Sequence, residues 1–204
     1  MRRLYRTKFL ALSQIAVLLN LLSAPTSVKP GTVLQSHYIS LEQKACRPLV
    51  GSMLTRYASQ GLSVVDCPVV IATKPVPIGL LVVSSDERSW IELIMGDTAW
   101  SSEDEVVYEK QNQFGYFPNV GAAPAEILAD SAGTAMGLIF RVTAQNPDRQ
   151  SLNPGKANAS RLFTLGFRKS GVCFLGITQD NSEARRLMES STSCLRLLKS
   201  HSLY

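Results

Sequence analysis

Four cysteines offer the clearest chemistry in this chain of 204 residues. Cys46 and Cys67 form one couple, Cys173 and Cys194 form another, and the members of each couple lie 21 positions apart. The Cys-x-x-Cys spacing that is typical of zinc sites and of redox-active dithiols does not occur in this chain. Four cysteines allow three connectivities, and we favour the two local pairs because each closes a short loop. The sequence therefore predicts two structural disulfides, no metal site and no cofactor.

Catalytic side chains are poorly supplied. A Ser–His or Cys–His mechanism needs an anchored histidine, and the only two, His37 and His201, lie in terminal segments that we expect to be mobile. Paired carboxylic acids, as in glycoside hydrolases, could be drawn from Glu92, Glu103, Asp104, Glu105 and Glu126. Their spacing singles out no pair, so we predict no catalytic residue. The acidic run 103–105 lacks the pattern of an EF-hand loop and predicts a solvated turn.

Four charged residues are candidates for an ion pair or a binding site: Asp86, Arg88, Glu126 and Arg141. Arg141 is flanked by apolar residues on a predicted strand, so its guanidinium must reach solvent or a carboxylate. Glu126 or Asp86 could accept it in a bidentate pair. We favour a structural ion pair or a solvated strand face. The alternative is a site in which Arg88 and Arg141 hold a ligand carboxylate or a sugar.

Aromatic residues cluster in the middle third of the chain: Trp90, Trp100, Tyr108, Phe114, Tyr116 and Phe117. Packing in the core and in loops is their ordinary role. The segment 111–121, however, mixes aromatic residues with Asn, Gly and Pro, which is typical of an exposed loop. Exposed aromatic rings often dominate binding energy at interfaces. Tyr116 and Phe117 are therefore the candidates for an aromatic binding face.

The first 27 residues have the pattern of a secretory signal peptide. A basic start precedes an apolar run at 9–22 and small residues at 23–27. The run is shorter than the roughly 20 residues needed to cross a bilayer and contains polar residues, which favours a cleaved signal peptide. An uncleaved membrane anchor is the alternative. We predict a periplasmic or secreted protein with no stable membrane span after the signal peptide is removed. The basic residues are Arg2, Arg3, Arg6 and Lys8.

Net charge argues against nucleic acid as a partner. The formal charge is +5, but removal of the four basic residues at the start leaves 17 basic against 16 acidic residues. Binding to phosphates needs a concentrated basic surface, and none is visible in the sequence. The remaining length fits one domain, which we place at 28–198 and follow with a frayed tail at 199–204.

Apolar patterns predict a strand-rich domain. Strands are expected at 62–67, 78–84, 89–95 and 135–144, with weaker candidates at 105–108 and 125–129, and the segments 163–167 and 172–178 form a hairpin. Asp180 and Glu183 form a capping box for a C-terminal helix that would carry Cys194 on its inward face. A second box at 40–43 predicts a short helix that reaches Cys46. The fold class is α+β, mostly antiparallel sheet in a sandwich or a partly open barrel, with the C-terminal helix tied by a disulfide.

Several short motifs follow one another along the chain: Tyr38 to Cys46, Cys67-Pro68, Asp86-Glu-Arg88-Ser89, Phe117 to Gly121 followed by Ala125-Glu126, and Leu138-Ile-Phe-Arg141-Val142. Their order resembles a family of exported bacterial proteins without an assigned activity. The departures are Ile127, where the family has an aromatic residue, and Val69, where it has glycine. The resemblance implies an exported, disulfide-bonded domain and supplies no catalytic residue.

Together these features predict an exported, non-catalytic binding protein whose partner is an envelope protein or another ligand. The alternative is an envelope hydrolase that works through carboxylates. A cleft that holds two carboxylates would favour the hydrolase, and an exposed aromatic patch near Tyr116 would favour the binding protein.

Overall fold

Two antiparallel sheets pack face to face in this protein, and a helix covers the outer face of one of them. The structure, a computed structural model, describes residues 34–70, 78–147, 157–191 and 193–203. Gly31–Tyr204 form one compact unit. The predicted signal peptide at 1–27 lies outside the described residues.

The seven-stranded sheet has the strand order β1-β8-β9-β10-β11-β12, and β7 pairs with β9 beyond the end of β8. Its strands are β1 (Gln35–Ile39), β7 (Tyr116–Val120), β8 (Ala125–Ala129), β9 (Ala135–Gln145), β10 (Asn158–Arg168), β11 (Gly171–Thr178) and β12 (Arg196–Leu197).

The six-stranded sheet has the order β13-β6-β5-β4-β3-β2. Its strands are β2 (Arg47–Pro48), β3 (Ser63–Cys67), β4 (Ile78–Ser85), β5 (Arg88–Met95), β6 (Thr98–Ser101) and β13 (Lys199–Ser202). The two α-helices are α1 (Ser52–Ser59), which contacts β3, and α2 (Asn181–Ser190). No helix in the described part of the chain is long and apolar enough to cross a membrane.

Side-chain alternation explains the core between the sheets. Successive residues of a strand point to opposite faces, so Leu138, Phe140 and Val142 of β9 all face the six-stranded sheet and are fully buried. Phe163 of β10 continues this face, with its ring centroid 5.7 Å from that of Phe140 and 6.1 Å from that of Phe174. The predicted antiparallel, strand-rich α+β fold is confirmed as a sandwich, and the sheets do not close into a barrel.

Helix α2 packs on the outer face of the seven-stranded sheet. It begins at the predicted cap, where the Asp180 carboxylate accepts a hydrogen bond of 2.8 Å from the backbone N–H of Glu183. Ala184 and Met188 are buried against the sheet. A Cβ atom at Gly137 of β9 would overlap the backbone carbonyl oxygen of Leu165 as well as the end of Met188, so glycine is required for this close approach.

Both predicted disulfides, Cys46–Cys67 and Cys173–Cys194, form in the structure. The helix, however, ends at Ser190, so Cys194 does not lie on its inward face as predicted. The predicted continuation of the helix to Cys194 is therefore wrong, and Leu195, the next residue, is exposed. The second disulfide therefore ties the segment that follows α2 to β11.

The predicted frayed tail is wrong. Residues 194–202, which we call the C-terminal strap, contain β12, which pairs with β11, and β13, which pairs with β6. Leu198 lies between these two short strands and is buried in the core. The strap therefore joins an edge of one sheet to an edge of the other. Its polar residues form a strand because β6 offers an unpaired edge, which a local pattern does not reveal.

Two other local predictions are wrong. The box at 40–43 forms a turn, because the Ser40 hydroxyl accepts a hydrogen bond from the backbone of Glu42 two positions on, and the helix starts only at Ser52, after Pro48. Residues 105–108 belong to a single π-helical turn, Asp104–Tyr108, and not to a strand. Burial of two side chains in that turn outweighs the β propensity of its valines.

An ion pair fastens α2 to the sheet beneath it. Arg185 lies 2.8 Å from the carboxylate of Glu126 on β8, which is nine-tenths or more buried and also accepts a hydrogen bond from the Ser36 hydroxyl. A second N–H of Arg185 donates to the hydroxyl of Tyr38. Removal of one partner from a buried pair leaves an uncompensated charge, which is costly.

We therefore expect Arg185→Ala to lower the free energy of unfolding by about 2 kcal/mol, since the Glu126 carboxylate loses its charged partner. Arg186→Ala is the matched control, because Arg186 is exposed on the same helix, and it should change stability by less than about 0.5 kcal/mol. Urea unfolding measures both. Equal effects of the two substitutions would contradict the assigned role of Arg185.

Candidate functional site

The four charged candidates do not form one site. Glu126 pairs with Arg185, so the predicted pairing of Arg141 with Glu126 or Asp86 is wrong. Arg141 donates a hydrogen bond of 3.0 Å to the Ser160 hydroxyl on the neighbouring strand. The pairing of β8 with β9 stops at Ile139, short of Arg141, and Arg185 of α2 is the cation that reaches the Glu126 carboxylate. Glu126 therefore forms an ion pair with Arg185 and not with Arg141.

Asp86 and Arg88 lie together at the turn between β4 and β5, with 3.6 Å between the carboxylate and the guanidinium. Both side chains are substantially exposed, and such pairs contribute little to stability. The more informative contact of Arg88 is with an aromatic ring. Its guanidinium carbon lies 5.4 Å from the ring centroid of Phe117, within the range of a cation–π interaction.

Three of the six clustered aromatic residues are on the surface. Tyr108 is 63% exposed, Tyr116 is 61% exposed and Phe117 is 39% exposed. Together with Arg88 they form what we call the aromatic face. The other three, Trp90, Trp100 and Phe114, pack in or against the core. The cluster thus divides between the two roles that the sequence left open.

Backbone geometry presents the aromatic face. The pairing of β7 with β9 shifts register between Tyr116 and Asn119, and a bulge of this kind redirects side chains. Phe117 has φ 50°, in the left-handed region that a bulky residue rarely adopts. Tyr116 and Phe117 are consequently both exposed although they are adjacent in a strand.

Hydrogen bonds hold β7 against the other sheet. The buried Ser89 hydroxyl accepts a hydrogen bond of 2.7 Å from the backbone N–H of Val120. The Asn119 amide donates to the backbone carbonyl of Glu87 in the β4–β5 turn. A Cβ atom at Gly115 would overlap the carbonyl oxygen of Gln145, so the start of β7 lies directly on β9. A cavity of about 120 Å³ lies beside this segment and is lined in part by Arg88, Phe114 and Phe117.

A second region of interest is a polar pocket of about 340 Å³ on the outer face of the six-stranded sheet. Tyr57 comes from α1 and Glu103 from the segment after β6, whereas the other side chains of the pocket come from strands β5, β6 and β13. Cross-strand pairing explains the arrangement, because residues opposite each other share a face: Glu92 of β5 is opposite Ser101 of β6. We call this the polar pocket and define it by Tyr57, Trp90, Glu92, Ser101, Glu103 and His201.

Glu92 is the centre of the polar pocket. Its side chain is only 4% exposed. One carboxylate oxygen accepts a hydrogen bond of 2.5 Å from the Tyr57 hydroxyl, and the other accepts one of 3.3 Å from the Trp90 indole N–H. Burial, followed by the hydrogen bond to Glu92, raises the pKa of Tyr57 well above its usual value, so the phenol stays protonated. The nearest imidazole nitrogen, Nε2 of His201, lies 3.8 Å from Glu92.

The carboxylates considered for hydrolysis are divided between different surroundings. Glu92, Glu103 and Asp104 line the polar pocket, whereas Glu126 is paired beneath α2. Glu105 is buried on the other side of the π-helical turn. Burial raises the pKa of Glu103 above its usual value, and the charge of Glu92 adds to the rise.

The solvated acidic turn predicted at 103–105 is wrong in part. Asp104 pairs with Lys199 at 2.8 Å, and Glu105 pairs with Arg196 at 3.0 Å. Both cations come from the C-terminal strap. Burial raises the pKa of Glu105, while the charge of Arg196 acts in the opposite direction. Asp104 and Glu105 therefore form part of the attachment of the strap.

Sequence reasoning missed two residues of the polar pocket. His201 was assigned to a mobile tail, and Tyr57 lies in a helix that was not predicted. Residue type alone identified Glu92 and Trp90 as candidates. Their position beside His201 depends on the pairing of β5 with β6 and of β6 with β13. No local sequence signal reports a pairing between residues so far apart in the chain.

No model of a protein family, no curated protein and no solved structure matches this chain. The resemblance to an exported bacterial family therefore stays a prediction. Within the described ranges, no group of three or more His, Cys, Asp or Glu side chains could hold a metal ion.

The raised pKa of Glu103 predicts a pH-dependent effect. A carboxyl whose pKa is raised in the folded state favours folding below its unfolded pKa, and this stabilisation is lost as the pH rises through the folded pKa. We expect Glu103→Gln, which cannot ionise, to gain stability relative to the native protein on going from pH 4 to pH 7. Urea unfolding at the two pH values measures the change.

Glu109→Gln is the matched control with the opposite sign. A hydrogen bond from Arg196 lowers the pKa of Glu109, so ionised Glu109 favours folding at neutral pH. This variant should lose stability relative to the native protein between pH 4 and pH 7. If the two variants shift in the same direction, the electrostatic surroundings assigned to Glu103 are wrong.

Proposed function

We propose that this protein is an exported, non-catalytic binding protein and that it binds another protein of the cell envelope through the aromatic face. The observation that supports this proposal is the exposure of Tyr108, Tyr116 and Phe117 beside Arg88 on one surface. Tyr, Phe and Arg are the residue types enriched in the centres of protein interfaces.

Preorganisation supports a role in binding. A bulky residue with positive φ costs about 1–3 kcal/mol and persists only where its surroundings hold it. Phe117 is such a residue, and the bonds of Asn119 and Val120 hold its strand against the other sheet. Rings that are already fixed lose little conformational freedom on association, which favours affinity.

Side chains, and not strand addition, are the proposed means of recognition. β7 pairs only with β9 among the described strands, so its other edge is not covered by a strand. Pro118 lies in the middle of this short strand and has no N–H to donate. Proline on an edge strand opposes pairing with another chain, and the binding energy must then come from the rings and the guanidinium.

The proposed location follows from the sequence and from the disulfides. Disulfides form and persist in oxidising compartments such as the periplasm and the extracellular space, and this protein has two. The predicted signal peptide would deliver the chain there. A partner in the envelope is the kind of protein that it would meet. The carboxylate hydrolase stays an alternative prediction, and its candidate carboxylates in one pocket are Glu92, Glu103 and Asp104.

Crosslinking in intact cells, followed by titration against the purified crosslinked partner, tests this proposal. Each interface hot spot contributes about 2 kcal/mol or more, or roughly 30-fold in Kd. We expect the variant with Tyr116→Ser and Phe117→Ser to bind at least 100-fold more weakly by calorimetry. Val50→Ser is the control, since Val50 is 78% exposed and lies outside the aromatic face, and it should bind within about twofold of the native protein.

Retention of native affinity by the doubly substituted protein would contradict the proposal. So would equal losses for the double variant and for Val50→Ser. A circular dichroism spectrum and a urea unfolding curve for each variant establish that the substitutions leave the fold intact.

A further inference from the structure

The carboxylate of Glu92 is a buried charge without a full cationic partner. Transfer of a carboxylate from water into a protein interior is expensive unless a charge or several hydrogen bonds compensate it. The Tyr57 hydroxyl and the Trp90 indole N–H are neutral donors. Among the residues that the structure describes, no lysine or arginine lies within ion-pair distance of Glu92.

The two cations that line the polar pocket are engaged elsewhere. Lys199 pairs with Asp104, and a guanidinium N–H of Arg56 donates to the backbone carbonyl of Ser202. The lining contains three carboxylates, those of Glu92, Glu103 and Asp104, against these two cations. One further positive charge would balance these three carboxylates, and besides the two cations the lining offers only the His201 imidazole, which lies 3.8 Å from Glu92.

His201 offers an unused polar atom beside Glu92. Its Nε2 atom is buried and has no hydrogen-bond partner. The distance from Nε2 to the nearer Glu92 oxygen is 3.8 Å, too long for a hydrogen bond. A donor nitrogen at about 2.8 Å from both atoms fits this separation, and an ammonium group carries three N–H donors. A carboxylate accepts about four hydrogen bonds, and the Tyr57 and Trp90 donors occupy only two of these positions.

We infer that the polar pocket binds a small organic cation with a primary ammonium group and that Glu92 is its counter-ion. The ammonium nitrogen lies between Glu92 and His201 and donates to the Glu92 carboxylate and to Nε2 of His201. The pocket volume of about 340 Å³ is at the lower end of the range for small-molecule sites. This site borders the aromatic face, since Tyr108 hydrogen-bonds to Glu103, but Glu92 and His201 lie outside that face, so the inference goes beyond the proposed function.

Three isosteric probes test the charge requirement: ethanolamine, ethylene glycol and glycolate. They are titrated into the purified, disulfide-bonded protein at pH 7 and constant ionic strength, and binding is followed by tryptophan fluorescence and NMR. We expect saturable binding of ethanolamine, with affinity at least tenfold higher than for the neutral diol or for the anion. Equal binding of the diol, as a sugar pocket would give, overturns the inference. Absence of saturable ethanolamine binding also overturns it.

Substitutions test whether Glu92 is the counter-ion. Glu92→Gln should weaken ethanolamine binding at least tenfold. Glu126→Gln is the matched control, because it removes a buried carboxylate and one negative charge outside the pocket, and it should bind ethanolamine within twofold of the native protein. Equal affinities of the Glu92 and Glu126 variants would overturn the inference.

A further variant keeps the test valid if Glu92→Gln does not fold. His201 lies on the short edge strand β13, so His201→Ala should fold, and we expect it to weaken ethanolamine binding severalfold through loss of one acceptor. Unchanged affinity of this variant would overturn the placement of the ammonium group. The variant with Tyr116→Ser and Phe117→Ser should bind ethanolamine normally, which separates this site from the aromatic face.

Discussion

The attachment of the C-terminal strap to both sheets is the constraint on which the rest of the structure depends. Within residues 194–202, one strand pairs with the seven-stranded sheet and the next pairs with the six-stranded sheet. Leu198 fills the core between them and donates its backbone N–H to Val172. The disulfide at Cys194 fixes the point at which the strap begins. The two sheets, which also meet through the hydrophobic core and through hydrogen bonds of β7, are thereby joined along one edge by backbone hydrogen bonds.

The strap also builds the chemical features of the surface. It delivers Arg196 and Lys199 to the acidic residues after β6, which holds that segment in a tight π-helical turn. It brings His201 to the polar pocket, beside a carboxylate that comes from the middle of the chain. The last residue of this π-helical turn is Tyr108, which belongs to the aromatic face. Both proposed binding sites therefore depend on correct docking of the last residues.

Much of the fold could be predicted from the sequence because its signals are local. Alternation of apolar residues around Phe140 marks a strand with one face in the core, and Asp180 with Glu183 marks the start of a helix. Local pairing of the cysteines was predictable because short loops close at a small entropic cost. The aromatic face was predictable in part, since the composition around Tyr116 is typical of exposed loops.

The remaining features arise from contacts between distant parts of the chain. The partner of Glu126 is Arg185, on a helix 59 residues away, and no motif links the two positions. The strand that contains His201 is short and polar, and it forms because β6 has an open edge. Ser40 shows the limit of a local rule, since its hydroxyl bonds to the nearby backbone in a turn as readily as in a helix cap.

Hydrogen exchange in two disulfide variants tests the central role of the strap most directly. One variant carries Cys173→Ser and Cys194→Ser, and the control carries Cys46→Ser and Cys67→Ser. Each loss removes roughly 3 kcal/mol in the chain-entropy model, but only the first frees the strap. We predict that backbone amides of Lys199–Ser202 exchange at least tenfold faster in the first variant, while amides of Ala135–Gln145 remain equally protected in both. Unchanged protection of Lys199–Ser202 in the first variant would contradict the account.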